Sequence, residues 1–405
     1  MIRLIVRSAV FLAFLPLQAV VLAQNVAPEG AQASAQRAPG LFQVELAALQ
    51  AELRRYRGLA ALGGWPDVPK GPTIRPGDAG PRIAVLAERL AASGDLKRAG
   101  LAPSDYDATL QSAVRRFQIR HGLEPDALVG RATLRALNVP VESRIDQIRV
   151  NLERIRPHLD VDVEDYVMVN IPAFKATLIE GGQKAWTTKV IIGEEEDQTP
   201  EIRSDLKTIV FNPTWSVPYS IASEEMLPRI VEDPDYFNNN GYQVYDRDGQ
   251  LVDPADVDWS AYSENNFPFS LVQRPGPANQ LGRIKFMVPN PYSICMHDTP
   301  ARSLFANVNR ALSHGCVRID DPLRFAELIL ESEGMTREDI ESKIDSGETT
   351  SVKLEEPLPV YIVYWTATVD ESGKIHFYDD IYDRDTSLLE RIDNKARKEN
   401  EETGV

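Results

Sequence analysis

Residues Met296 to Asp320 read MHDTPARSLFANVNRALSHGCVRID and hold two of the chain's five histidines, His297 and His314, and one of its two cysteines, Cys316. A cysteine with nearby histidines is the minimum equipment for thiol nucleophilic catalysis. The attacking species is the thiolate, and a free thiol with a pKa of about 8.5 is mostly protonated at neutral pH. An imidazole can take that proton, and a third group can orient the imidazole. His314 stands two residues before Cys316 on one short loop, whereas His297 stands nineteen residues before it and must be brought in by the fold. The same residue types serve two other purposes. A cysteine can be a small buried hydrophobe, and histidine with cysteine can ligate a metal.

The full string narrows the choice. SHGCVR, preceded by HDTP and by Arg302, Phe305 and Arg310, resembles the catalytic signature of the L,D-transpeptidases, bacterial cysteine enzymes that remodel peptidoglycan. The resemblance implies that Cys316 is the nucleophile and His297 its general base. It puts His314 in the same site, holding the loop or tuning the thiolate. The backbone carbonyl of Asp298 is the candidate orienting group for His297. The backbone amides of Gly315 and Cys316 are the candidate oxyanion donors, since glycine permits close approach. Arg302, Arg310 and Arg318 surround the loop, and guanidinium groups bind free carboxylates in a bidentate fashion. For Arg318 structural and electrostatic support is the favoured role. Trp215, in NPTWSVP (Asn212 to Pro218), is a candidate for the substrate groove or for the core.

The reaction implied by the resemblance has two steps. Cys316 attacks the peptide bond before the terminal D-alanine of a tetrapeptide stem, and the thioester is then taken by the side-chain amine of a diaminopimelate on a second stem. Water in place of the amine gives a carboxypeptidase, and a dead enzyme domain would leave a wall-binding structural protein. No metal or organic cofactor is implied. The implied partners are peptidoglycan stem peptides, with other cell-wall synthesis enzymes as further candidates.

The second cysteine departs from the family pattern, in which an aromatic residue is common at this place. Cys295 lies two residues before His297 on an expected strand, so both side chains point to one face. It could be a wall of the groove or a disulfide partner of Cys316. With His297, His314 and Cys316 it also completes the ligand types of a tetrahedral zinc site.

The elements that must position these residues follow from composition and periodicity. The chain has 405 residues, 43% of them hydrophobic and 26% charged, enough for two or three domains with sizeable cores. A net charge of −16 argues against a nucleic-acid binder. Residues 1–23 read as a secretory signal, with Arg3 and Arg7 before the apolar run Ala9 to Leu22. The expected location is therefore periplasmic or cell-wall associated, with membrane contact only through that segment if it is retained. Residues 24–40 read as a disordered lead-in.

The expected fold is multidomain α+β. Residues 41–81 and 139–165 form a helical scaffold, from the apolar spacing of Phe42, Leu46, Leu49, Leu53 and Tyr56 and of Ile145, Ile148, Leu152 and Ile155. Residues 82–138 form a three-helix module whose strings LAERLAASGDL, AVRRFQIRHGLEPDALVG and ATLRALN are similar to a peptidoglycan-binding domain. Residues 166–353 form a mostly β catalytic domain with peripheral helices. Within it, 219–282 is too long for a plain loop and reads as a lid. Residues 354–405 are read as C-terminal strands and a tail whose charged last dozen residues fray.

Overall fold

The structure, a computed structural model, describes residues 40–97, 104–233 and 235–403. The expected signal segment lies outside these residues. None of the described helices is long and apolar enough to cross a membrane.

The scaffold helices Leu41–Ala61 and Val141–Ile155 pack on each other through the faces that their periodicity marks, burying Phe42, Leu49, Tyr56, Ile148 and Ile155. Between them in sequence, helices Pro81–Ala92, Ala108–Arg120 and Arg131–Leu137 enclose a separate core of Ile83, Leu86, Leu90, Leu110, Val114 and Phe117. Apolar spacing of three and four residues is what sets each inward face. The Asp107 side chain caps the middle helix by accepting from the Leu110 amide. His121, at that helix's end, donates from Nδ1 to the Phe117 carbonyl and stacks on its ring, a structural role.

Strands follow from Tyr166 onward. In chain order they are β1 (Tyr166–Asn170), β2 (Lys175–Glu180), β3 (Gln183–Gly193) and β4 (Ile202–Phe211). Then come β5 (Trp215–Ser216), β6 (Tyr242–Tyr245), β7 (Leu251–Val252) and β8 (Ser270–Gln273). The series continues with β9 (Ile284–Met287), β10 (Met296–His297), β11 (Ala311–Ser313) and β12 (Val317–Ile319). It ends with β13 (Thr350–Val363), β14 (Ala367–Val369) and β15 (Ile375–Phe377).

The main sheet has the order β11-β3-β12-β10-β9-β4-β13-β1-β2, and an additional β2–β3 pairing closes the ladder on itself. The β2–β3 hairpin turns through Gly181 and Gly182, both at positive φ, as a two-residue turn matched to strand twist requires. Alternate residues of these strands enter one core with Phe325 and Ile329 of the helix Pro322–Leu330.

Three expectations change. The boundary drawn after residue 353 falls inside β13, whose polar first half pairs with β4 and whose apolar second half is sandwiched between β4 and β1. The expected lid begins at Trp215, because β5 pairs with β8, and it folds around its own core of Phe237, Trp259 and Phe267. The expected frayed end is instead the helix Asp385–Thr403. Arg149 and Arg154 of the scaffold hold it through Asp393 and Asp385. Those arginines lie more than two hundred residues away in sequence, so the pairing leaves no local mark.

Candidate active site

The nucleophile loop is the three-residue connection His314 to Cys316 between β11 and β12, and both strands pair with the end of β3. Gly315 takes φ +95, where an L side chain is strained, and an added Cβ would lie 3.0 Å from Ile294 Cδ1. Its carbonyl accepts from Thr199 Oγ1 at 2.7 Å, and Thr199 Oγ1 in turn accepts from the Gly193 amide. The Ser313 hydroxyl donates to the Cys316 carbonyl at 2.6 Å. The loop is thus held by buried hydrogen bonds at Gly315 and a part-buried one from Ser313 to Cys316, which suits a nucleophile that must be held in place.

The general-base candidate comes from the neighbouring strand. β10 runs parallel to β12, pairing Met296 with Val317 and His297 with Arg318. That register sets the buried His297 imidazole beside the thiol. A ring nitrogen of His297 and the sulfurs of Cys295 and Cys316 all lie within 4.8 Å of one another. Nδ1 of His297 donates to the Asp298 carbonyl at 2.5 Å, so Nε2 is the nitrogen left to exchange a proton with sulfur.

Electrostatics favour the thiolate. A hydrogen bond from Cys295 lowers the Cys316 pKa well below the ordinary thiol range, against burial, and His297 adds to the effect. Cys295 is pushed the other way, chiefly by its contact with Cys316 and then by burial. Of the two thiols in contact, Cys316 is therefore the one favoured as the nucleophile.

Cys316 opens into a cavity of about 220 Å³. His297, Ser313, His314 and Arg318 line it from the main sheet, and Trp215 from the strand after Asn212. The far wall belongs to the insertion, through Ile221, Glu225, Met226, Arg229, Tyr236 and Tyr242. His314 Nε2 lies 2.7 Å from Glu225 Oε1 across the mouth. Burial lowers the Arg318 pKa, and its Nε has no protein partner.

Two expected substrate arginines are placed elsewhere. Arg310 is buried, and its guanidinium donates to the carbonyls of Val190, Phe174, Asn307 and Val308. It therefore serves the fold beneath the loop. Arg302 pairs with Asp298 and Asp320, and the Asp298 carboxylate also accepts from the Arg283 amide. Neither arginine lines the cavity, and nor does Asp298. The four-ligand set also divides: Cys295, His297 and Cys316 cluster together, while His314 groups with Glu194 and Asp197.

Tyr236 and Tyr242 belong to the aromatic-rich insertion read as a lid, but sequence reasoning did not find Glu225 or Arg229, since nothing in their local spacing marks a site. Thr199 was missed as well. Asn212, at φ 47, turns the chain toward the cavity and is held by donating to the Lys343 and Ile344 carbonyls.

Residues 164–356 match YkuD, the L,D-transpeptidase catalytic domain. Residues 79–137 match the "Putative peptidoglycan binding domain". A curated Haemophilus influenzae protein described as a "Putative L,D-transpeptidase" is 36% identical over 252 residues, covering 62% of this chain and 50% of that protein. The chain thus spans about half the length of the curated relative that it matches. Among solved structures, an L,D-transpeptidase (residues 123–326) from Xylanimonas cellulosilytica is 14% identical over 73% of this chain and 98% of its own, with a TM-score of 0.22. One from Stackebrandtia nassauensis is 13% identical over 71% and 94%, with a TM-score of 0.26. By its matched domains, the chain holds an L,D-transpeptidase catalytic domain at 164–356 behind a domain of the peptidoglycan-binding family at 79–137.

Proposed function

We propose that this chain cross-links peptidoglycan by acyl transfer through Cys316. The observation that carries the reading is the Cys316 sulfur, placed beside an oriented His297 and opening into a cavity that Arg318 and Arg229 also line. His297 accepts the thiol proton, and the thiolate attacks the carbonyl before the terminal D-alanine of a tetrapeptide stem. The Gly315 and Cys316 amides receive the negative charge that develops on the carbonyl oxygen. His297 returns its proton to the departing amine, and D-alanine leaves. A diaminopimelate amine on a second stem then attacks the thioester, gives its proton to His297 and restores the thiol.

Arg318 and Arg229 are suited to the free carboxylates of the stem, and Trp215 and Tyr242 to its aliphatic parts. The module at 79–137 would dock the enzyme on the wall, which implies work outside the cytoplasm. A carbapenem should acylate the same thiol, as the family resemblance implies.

The test is incubation of the full chain with purified tetrapeptide muropeptides and mass analysis of the products. Dimers with release of D-alanine support transpeptidation. Tripeptide monomers alone would make the enzyme a carboxypeptidase, and unchanged substrate would refute the reading.

A further inference from the structure

The sulfurs of Cys295 and Cys316 lie 3.1 Å apart, and the Cys295 amide also points at Cys316 Sγ, at 3.2 Å. This proximity is built into the sheet. β10 and β12 pair in parallel with Met296 opposite Val317, so Cys295 continues the register opposite Cys316. The Val317 amide donates to the Cys295 carbonyl at 2.9 Å, which locks the step between them. Neighbouring strands sit about 4.8 Å apart, inside the Cα range of about 4.4–6.8 Å that a disulfide spans. The sulfurs need to close by only about 1 Å to bond.

The two thiols are not equivalent. Cys316 lines the cavity and is open to small solutes, whereas Cys295 is not among the residues that line it. The sulfur that receives the Cys295 amide, and whose pKa is lowered, faces the cavity, and the other stands behind it. Oxidation follows thiolate character and access, so Cys316 is the sulfur that meets an oxidant first.

We propose that Cys295 is the resolving thiol of a reversible modification site, closing a disulfide onto Cys316 after a small hydroperoxide has oxidised it. The Cys316 thiolate attacks one peroxide oxygen, the O–O bond breaks, and hydroxide leaves Cys316 as a sulfenic acid. The Cys295 sulfur then attacks the Cys316 sulfur, and its proton leaves with the hydroxyl group as water. For hydrogen peroxide the balance is two thiols oxidised to one disulfide and one peroxide reduced to two waters. An external dithiol reverses the change and is itself oxidised. While the disulfide stands, Cys316 is no nucleophile, and it is also barred from the irreversible sulfinic and sulfonic acids. This inference goes beyond the proposed reaction and does not depend on which peptide the enzyme takes.

The experiment treats the reduced full-length chain with hydrogen peroxide and reads intact mass and a non-reducing peptide map, with no substrate present. Wild type should lose about 2 Da, and Cys295 and Cys316 should appear in one linked peptide pair. Dithiothreitol should restore both the mass and the alkylation of Cys316 by iodoacetamide. Cys295→Ser and Cys295→Ala should instead gain about 32 or 48 Da and not be restored. Wild type gaining that mass as fast as the variants would overturn the proposal. Should the variants not fold, the wild-type peptide map decides alone, and a map without the Cys295–Cys316 link overturns it.

Discussion

His314 Nε2 sits 2.7 Å from the Glu225 carboxylate, joining the nucleophile loop directly to the insertion that forms the far wall of the cavity. Both side chains are about 40% exposed, at 40% and 42%. Such a pair is worth at most about 1 kcal/mol, so it biases the position of the wall and does not hold the fold together. Glu225→Ala is therefore expected to leave stability within about 1 kcal/mol and to raise KM for a muropeptide donor more than it lowers kcat. Steady-state kinetics check this. A collapse of kcat at unchanged KM would move the pair from shaping the groove into the chemistry.

His297 is buried, fixed through Nδ1, and left with Nε2 to serve the sulfur. His297→Ala should slow acylation by a carbapenem about 100-fold, the usual size of general-base catalysis. His314→Ala should slow it less, because its Nε2 already faces Glu225. Stopped-flow acylation of the two folded variants decides between them, and the reverse order would exchange the assigned roles.

The depressed pKa of Cys316 gives a pH prediction with a definite sign. A lowered thiol pKa keeps the nucleophile ionised as pH falls below the ordinary thiol range, so the acid limb of acylation should lie on the acid side of that range. The largest favourable contribution is the hydrogen bond from Cys295, followed by His297. Lys285 and Arg318 are the cations whose charges act on the pair. Cys295→Ala should therefore shift the acid limb to higher pH, read from acylation rates across a buffer series. An unmoved limb would assign the thiolate to His297 alone.

A stability prediction concerns the module. Arg120 is fully enclosed, bonded to both carboxylate oxygens of Asp95 at 2.6 Å and to the Ile375 carbonyl of β15. Asp95→Ala strands that charge and should cost about 3 kcal/mol, as broken buried pairs do. Denaturant unfolding measures it, and replacing both residues by apolar ones should recover part of the loss. A cost under about 1 kcal/mol would mean that the Arg120 guanidinium finds another partner.

How far the sequence could be read depended on whether each residue's partners were near it in the chain. Cys316, His297 and Gly315 announced themselves within 25 residues of continuous sequence. The scaffold faces were legible because Phe42, Leu49 and Tyr56 repeat at helical spacing, and all three are buried. Arg302 and Arg310 sit in the same stretch but serve other ends. A guanidinium's carbonyl and carboxylate partners, such as Val190 and Phe174 for Arg310, leave no mark on neighbouring positions. Glu225 and Arg229 enter from the insertion through tertiary packing alone. The helix Asp385–Thr403 was legible only as a charged tail, because Arg149 and Arg154, which pair with its Asp393 and Asp385, lie far away in sequence. The strand spacing behind Cys295 was readable and left Cys316 as one of several possible neighbours, because the register that brings the two sulfurs together belongs to the sheet.

The central claim is that Cys316 carries the acyl group. Its most direct test is intact-mass analysis of wild type and Cys316→Ala during turnover of a tetrapeptide donor. Losing a small, half-buried thiol should leave stability within about 1 kcal/mol, so the two proteins can be compared as folded enzymes. Wild type should show a mass increment equal to the donor less D-alanine, mapped to Cys316, and the variant should show neither increment nor D-alanine release. D-alanine release by Cys316→Ala near the wild-type rate would contradict the account.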